Sequence, residues 1–400
     1  MKLYPFQKQA VEFHLKHHYS LNASDMGTGK SLMALATAKA AKTQNILVIG
    51  PRFLEGTWLA EAAKLSLKIT FIGYSMLHKH ETEELADYDF WIADESHYLA
   101  TPISIRTVAF TKHFKAIKPK YAIFLSGTPI KNRIVQLWSQ LDLIGSGPLK
   151  SSGKQLDMSY HRFARHFCNF QEMKIHNRIV TKYLGLKESR HEEFRALLKD
   201  KIIRFKVEDV LQDLPEMSVK EVFLMLGEDP ALAEEFEKYM SGKLKDSRSK
   251  RLSAVLKAPS TVDYCNGLIE GGSGPLLIFS DHIESATMIQ RGIKNSALIT
   301  GATDMSERQA IVEGFQAGKI PALVATIGTM ATGFTLTAAR NVIFNDISWV
   351  DSDNLQAEKR IHRIGQKNAC IKHVMIGTPT DAHIFKTVES KQKHIKEAMG

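Results

Sequence analysis

The chain has 400 residues, 44% hydrophobic and 24% charged, with a formal net charge of +10 at pH 7. That length supports a sizeable core and two domains or more, and the basic balance favours a polyanionic partner such as nucleic acid. No run of about 18 apolar residues argues for a membrane span, and MKLYPFQKQAVEF lacks the apolar stretch of a signal peptide, so a cytoplasmic setting is expected, or a nuclear one in a nucleated cell.

In chain order, NILVIGP (45–51), ITFIGY (69–74), DFWIADE (89–95) and YAIFLSG (121–127) read as short buried strands, each stopped by a Gly, Pro, Asp or Ser cluster. Helical patterns such as SLMALATAKAAK (31–42) lie between them, which predicts a parallel sheet covered by helices on both faces. Residues 145–260 read as mostly helical and polar, opening on the flexible GSGPLKSSGK and carrying the basic run KLKDSRSKR (243–251). Strand signals return with GGSGPLLIFS (271–280), ALIT (297–300), PALVAT (321–326) and RNVIF (340–344). The expected organisation is an α/β sheet domain over 1–144, a helical insert and crossing segment over 145–260, and a second sheet domain over 261–400. The three cysteines, Cys168, Cys265 and Cys370, are far apart and odd in number, which speaks against a disulfide framework. The cluster His161, His166, Cys168 and His176 has no common zinc spacing.

Residues 24–31, SDMGTGKS, form a glycine-rich turn that opens a helix. Met26, Gly27, Thr28 and Gly29 would bring backbone N–H groups around phosphate oxygens, Lys30 would sit against the β- and γ-phosphates, and the Ser31 hydroxyl would ligate Mg²⁺. The helix N-terminus adds its positive end. Ser24 stands where the strict pattern has glycine. Downstream, WIADESHYL (91–99) is an apolar strand ending in two carboxylates. Asp94 can hold Mg²⁺ and Glu95 can polarise an attacking water. Phosphoryl transfer needs chiefly positioning and charge neutralisation, and this pair with Lys30 supplies both.

These segments, with several others in the same order, resemble the Swi2/Snf2-like DNA translocases of helicase superfamily 2. LYPFQKQAVEF (3–13) resembles the family's adenine-side opening, LVIGPRFLEGTWLAE (47–61) and FIGYSML (71–77) its motifs Ia and Ib, and LSGTPIKNR (125–133) its motif III. FKVEDVLQDLPE (205–216) is similar to its segment crossing to the second lobe. LLIFSDH (276–282), the stretch 300–318, VATIGTMATGFTL (324–336) and QAEKRIHRIGQ (356–366) resemble motifs IV, the approach to V, V and VI.

The resemblance implies two RecA-like lobes that bind ATP and Mg²⁺. Gln7 would contact the base, Gly333 would allow a close backbone approach to the nucleotide, and Arg360 and Arg363 would reach the γ-phosphate from the second lobe. Their i, i+3 spacing predicts one helix face for both guanidinium groups. Ser126 and Thr128 would couple nucleotide state to the lobes, and Gln366 would help hold the lobes' contact. Arg52, Lys131, Asn132, Arg133, Ser280 and Thr326 are candidate contacts to the DNA backbone, which would give little sequence preference and strong salt sensitivity. The implied activity is ATP-dependent translocation on double-stranded or branched DNA, through branch migration or fork remodelling. A strand-separating RNA or DNA helicase, a nucleic-acid scaffold with a decayed ATPase, and the motor subunit of a defence or restriction complex remain as alternatives.

Overall fold

A computed structural model describes residues 3–130, 133–145, 159–175, 178–210, 214–226, 234, 246–332, 334–363 and 365–399. The chain divides into two compact units, Met1–Gln212 with Gln392–Gly400, and Asp213–Lys391. No helix among the described residues is long and apolar enough to cross a membrane.

The first unit contains β1 (Tyr19–Asn22), β2 (Ile46–Gly50), β3 (Ile69–Gly73), β4 (Phe90–Ala93), β5 (Tyr121–Leu125), the pair β6 (Cys168–Ile175) and β7 (Arg178–Leu186), and β8 (Ile202–Ile203). Its main sheet runs in the order β3-β2-β4-β5-β1-β8, with every neighbouring pair parallel. Strands buried on both faces read as continuous apolar runs, and the side chains of β2 show why. Leu47 and Ile49 enter one hydrophobic cluster with Trp91 and Phe124, while Ile46 and Val48 enter another with Phe90 and Ile123.

The second unit contains β9 (Met217–Phe223), β10 (Leu276–Ser280), β11 (Ala297–Ile299), β12 (Ala322–Thr326), β13 (Asn341–Phe344) and β14 (Cys370–Ile376). The sheet order is β11-β12-β10-β13-β14-β9, again parallel throughout. Leu277 and Phe279 face one cluster, Leu276 and Ile278 the other. The fold is thus α/β with two separate parallel sheets, each covered by helices.

The stretch 145–260 departs from its helical reading. Helices Tyr160–Phe167, His191–Leu198 and Asp246–Glu270 are present, but β6 and β7 form an antiparallel pair that sets Phe170 opposite Tyr183 and Met173 opposite Val180. The β-branched run Ile179, Val180, Thr181 favours a strand, and cross-strand packing selects it. β8 then joins the first sheet and β9 the second, so this stretch contributes to both units.

A parallel sheet places all its strand ends carrying the C-terminal residue on one edge, where ligands of such folds bind. In the first unit SDMGTGKS follows β1, Pro51 and Arg52 follow β2, Asp94 and Glu95 follow β4, and Ser126 to Thr128 follow β5.

Candidate nucleotide site

The loop between β1 and helix Lys30–Ala40 carries two residues of left-handed backbone, Gly27 at φ +85° and Gly29 at φ +84°. A side chain at either would be strained. At Gly29 a Cβ would also lie 2.7 Å from Gln7 Nε2. Successive glycines of this kind turn N–H groups inward to form an anion-binding concavity at a helix N-terminus. Lys30 Nζ donates to the carbonyls of Ser24 (2.8 Å) and Asp25 (3.1 Å), so the cation already lies across the loop. Ser31 is the second residue of the same helix.

Gln7 is buried, and the structure gives its amide two local bonds. It donates to the Thr28 carbonyl (3.0 Å) and accepts from the Tyr4 N–H (3.1 Å). These bonds brace the phosphate loop from the N-terminal helix Pro5–His17.

Asp94 is held on three sides. The Trp58 indole N–H donates to Oδ2 (2.8 Å), the Glu95 amide donates to Oδ1 (2.9 Å), and the Tyr74 hydroxyl donates to its carbonyl (3.0 Å). Burial, with the Glu95 carboxylate second, pushes the Asp94 carboxyl up to about 7, against the Trp58 and Glu95 hydrogen bonds and the charge of Lys30. Glu95 has φ +48°, a conformation that costs a non-glycine residue about 1–2 kcal/mol. This strain sits at the residue read as the water-polarising base. The donor oxygens of Asp94 and Ser31 suit a hard divalent cation that keeps few protein ligands.

The DESH turn and the SGTP segment are cross-linked twice. His97 Nδ1 lies 3.2 Å from Glu95 Oε2 and 3.1 Å from Ser126 Oγ. Ser96 Oγ donates to Gln140 Oε1 (2.6 Å), whose Nε2 donates to the Pro129 carbonyl (3.1 Å). Ser126 Oγ also accepts the Thr128 N–H (3.2 Å), while Thr128 Oγ1 is buried without a hydrogen-bond partner among the described residues. A Cβ on Gly127 would lie 2.7 Å from Met26 Cγ and 3.3 Å from Lys30 Nζ, so this segment rests directly on the phosphate loop. His97 and Gln140 were not singled out from the sequence. The histidine of DESH was the available signal, and Trp58 stands in the Trp-x-x-Glu of the segment that resembles motif Ia, but the bonds that Trp58 and Gln140 make become legible only once β2, β4 and β5 are side by side.

In the second unit the helical expectation for Arg360 and Arg363 is corrected. Helix Asp351–Glu358 ends before both, and the chain turns tightly through Arg360 N–H to the Ala357 carbonyl (3.2 Å) and Ile361 N–H to the Glu358 carbonyl (3.2 Å). Gly365 at φ +101° continues that turn. Burial pulls the Arg363 guanidinium below its usual value. Gln366, expected to hold the lobes together, uses its amide within its own unit. Its Nε2 donates to the Thr337, Ala339 and Ile361 carbonyls, and its Oε1 accepts the Lys367 and Asn368 N–H groups.

Of the candidate DNA contacts, Arg52 and Arg133 are exposed at the strand-end edge of the first sheet. Ser280 is corrected: it is fully buried, with its hydroxyl engaged by Asp346 and Ser285, and it presents nothing to a phosphate. Thr326 is also buried, its hydroxyl 3.0 Å from that of Thr329. Lys131, Asn132 and Gly333 lie outside the described residues. Cys168, Cys265 and Cys370 are free and buried. His161 and His166 are placed against the Tyr183 hydroxyl and the Glu193 carboxylate, and His176 lies outside the described residues.

Residues 61–251 match the SNF2-related domain, and residues 261–365 match the helicase conserved C-terminal domain. The chain is 28% identical to the mouse "DNA annealing helicase and endonuclease ZRANB3", over 95% of this chain and 39% of that protein. It is 28% identical to a Caenorhabditis elegans homologue of "SWI/SNF-related matrix-associated actin-dependent regulator of chromatin subfamily A-like protein 1", over 98% and 61%. It is 27% identical to the Bacillus subtilis "Putative ATP-dependent helicase/translocase YwqA", over 92% and 45%. The chain therefore spans between 39% and 61% of the lengths of these curated relatives. A solved SWI2/SNF2 ATPase core from Sulfolobus solfataricus in complex with dsDNA covers all of this chain at 20% identity and a TM-score of 0.44. With the SNF2-related domain and the helicase conserved C-terminal domain matched one after the other, the chain belongs to the SNF2-related, helicase-like proteins.

Proposed function

We propose that the protein hydrolyses ATP, with Mg²⁺, to move along double-stranded DNA and to remodel branched duplexes. The convergence of Lys30, Asp94, Glu95 and Ser126 at one edge of the first parallel sheet carries this reading. The relatives named above, among them an annealing helicase and a putative helicase/translocase, set its direction.

In this scheme the Gly27–Gly29 concavity takes the phosphates, and Lys30 exchanges the Ser24 and Asp25 carbonyls for phosphate oxygens. Asp94 and Ser31 would hold Mg²⁺, which supplies charge neutralisation at the phosphates. Glu95 orients and polarises the attacking water. Arg360 and Arg363 are assigned the charge that develops on the transferred phosphoryl group, which makes turnover depend on residues of both units. His97 lies between Glu95 and Ser126, so a change at the water-polarising carboxylate reaches the segment after β5, which continues toward the candidate DNA contact Arg133. Arg52 and Arg133 would meet the DNA backbone, without sequence preference.

The test is ATP turnover with no nucleic acid, single-stranded DNA, duplex DNA, forked DNA and RNA, with Lys30→Ala as the blank. Stimulation by duplex or forked DNA that disappears in the blank supports the proposal. Stimulation by RNA alone would replace it with an RNA helicase, and turnover indifferent to every nucleic acid would reject it.

A further inference from the structure

The residue that breaks the phosphate-loop pattern, Ser24, is fully buried and has a partner distant in sequence. Its Oγ accepts the N–H of Phe205 (3.1 Å). The pairing around it is regular. The N–H groups of Leu21, Ala23 and Asp25 donate to the carbonyls of Lys201, Ile203 and Phe205, at 2.8, 2.8 and 3.0 Å. The returning segment thus lies alongside β1 as a parallel partner and follows it into the loop. Where the loop turns away, side chains take over from backbone carbonyls. Ser24 Oγ receives Phe205 N–H, and Asp25 Oδ2 receives Val207 N–H (3.1 Å). Phe205 also packs edge-on against Phe6, 5.5 Å between centroids, beside Met33 of the phosphate-loop helix.

Two features make this more than a local clasp. The carbonyls of Ser24 and Asp25 both accept from Lys30 Nζ, so the loop's cation and the Phe205–Val207 segment share these two residues. Past Val207 the chain runs into the second unit, where it is fixed beside the arginine turn. The Pro215 carbonyl lies 2.8 Å from His362 Nε2, and the Glu216 carbonyl accepts the Cys370 N–H (2.9 Å).

We infer that Ser24 and Asp25 are positioning residues that transmit occupancy of the phosphate loop to the start of the crossing segment, residues 205–210. A phosphate that draws Lys30 off their carbonyls removes two charge-assisted hydrogen bonds from the residues that anchor Phe205 and Val207. Serine at position 24, in place of glycine, supplies one of those anchors. This inference rests on the nucleotide reading of the loop, and it deepens that reading by naming the path out of the site.

The test uses the full chain and two readouts. The first is hydrogen exchange with and without ATPγS and Mg²⁺, with no DNA present. The nucleotide shifts exchange at the Phe205 and Val207 amides by about threefold or more in the wild type, since a net hydrogen bond of about 1 kcal/mol corresponds to about fivefold. In Ser24→Gly the shift at Phe205 is lost, and in Ser24→Thr, which keeps a hydroxyl, it returns. The second readout is DNA-stimulated turnover of Val207→Pro, a substitution suited to a first helical position that removes the N–H. Its kcat falls about fivefold while the KM for ATP moves less than about twofold. Wild-type exchange at both amides that ignores bound ATPγS overturns the inference, as does a Val207→Pro enzyme with unchanged kcat. Absence of ATPγS binding by the wild type would instead reject the nucleotide reading itself, so the two failures are distinguishable.

Discussion

Gly127→Ala tests whether the SGTP segment controls the phosphate loop through contact. The backbone at Gly127 lies outside the left-handed region, so only space is at issue. A methyl group there would sit 2.7 Å from Met26 Cγ, 3.3 Å from Met26 Cε and 3.3 Å from Lys30 Nζ. To reach an ordinary contact of 3.4 Å, Met26 must retreat by about 0.7 Å, a movement worth about 1–2 kcal/mol as overpacking or rotamer strain. The methionine belongs to the loop, so the movement also displaces Lys30 and the inward N–H groups. Loss of alignment in one hydrogen bond to a charged group is worth about 1.5 kcal/mol, or about tenfold in affinity. The expected outcome is a fall in Tm of about 2–4 °C per kcal/mol lost and a nucleotide Kd about tenfold weaker, read by titration with a fluorescent ATP analogue. Met26→Ala combined with Gly127→Ala removes the closest atom and should recover most of that affinity. Wild-type affinity in the single variant would refute the contact. Equal loss in single and double variants would show that Met26 does not carry it.

Three further outcomes follow from the same geometry. Trp58→Phe keeps the buried ring but removes the 2.8 Å bond to Asp94 Oδ2, so the Mg²⁺ concentration for half-maximal turnover should rise about tenfold. Equal Mg²⁺ curves for variant and wild type would remove Trp58 from the site. His97→Asn and Ser126→Ala should each lower DNA-stimulated kcat about fivefold, and their double variant should fall short of the product of the two, since contacting residues are non-additive; full additivity in turnover assays would deny the link. His14 and His373 are held neutral chiefly by burial, with values lowered to about 3 and about 4 from 6.5. Below pH 6.5 the unfolded chain therefore takes up protons that the folded chain refuses, so stability is complete above that value and declines from pH 6.5 to about 4 for His373 and to about 3 for His14, by up to about 1.4 kcal/mol per pH unit for each group. Urea unfolding at pH 7 and pH 5 checks this, with His373→Gln expected to flatten the decline in the second unit.

Much of the fold was legible because β2, β4, β5, β10, β12 and β13 are buried on both faces, and such strands announce themselves as apolar runs. β1 and β14 were not legible, and their polar residues explain why. Ser20 and Asn22 of β1 are fully buried, and they pair with His14 across the sheet-to-helix boundary. In β14, Lys372 reaches Glu358 (2.8 Å) and His373 reaches Asn341 (3.0 Å). A buried polar group is tolerated when paired, and the pairing partner is invisible to a periodicity argument. The candidate site at the strand ends was legible for the opposite reason: Gly27, Gly29, Lys30, Asp94 and Glu95 are residue types that a phosphate and a polarised water would demand, so they carry their signal one at a time. The arginine turn was misread as a helix because i, i+3 spacing fits a tight turn as well as a helical one.

Ser24 shows what separates the two kinds of residue. Read against the phosphate-loop pattern it is a defect, since glycine would serve the loop's backbone as well. Its buried hydroxyl has a use only if Phe205, 181 positions away in sequence, lies beside it. The same holds for Gln7 on Thr28, Trp58 on Asp94 and Gln140 on Pro129: each reaches the site from an element adjacent only in the folded chain. These side chains do no chemistry. They fix where the loop, the carboxylate and the SGTP segment stand, and a site proposed to drive movement must be fixed to the segments it would move. Departures from a pattern that become buried and bonded are therefore where coupling is to be sought in this chain, and Ser24 is the clearest of them.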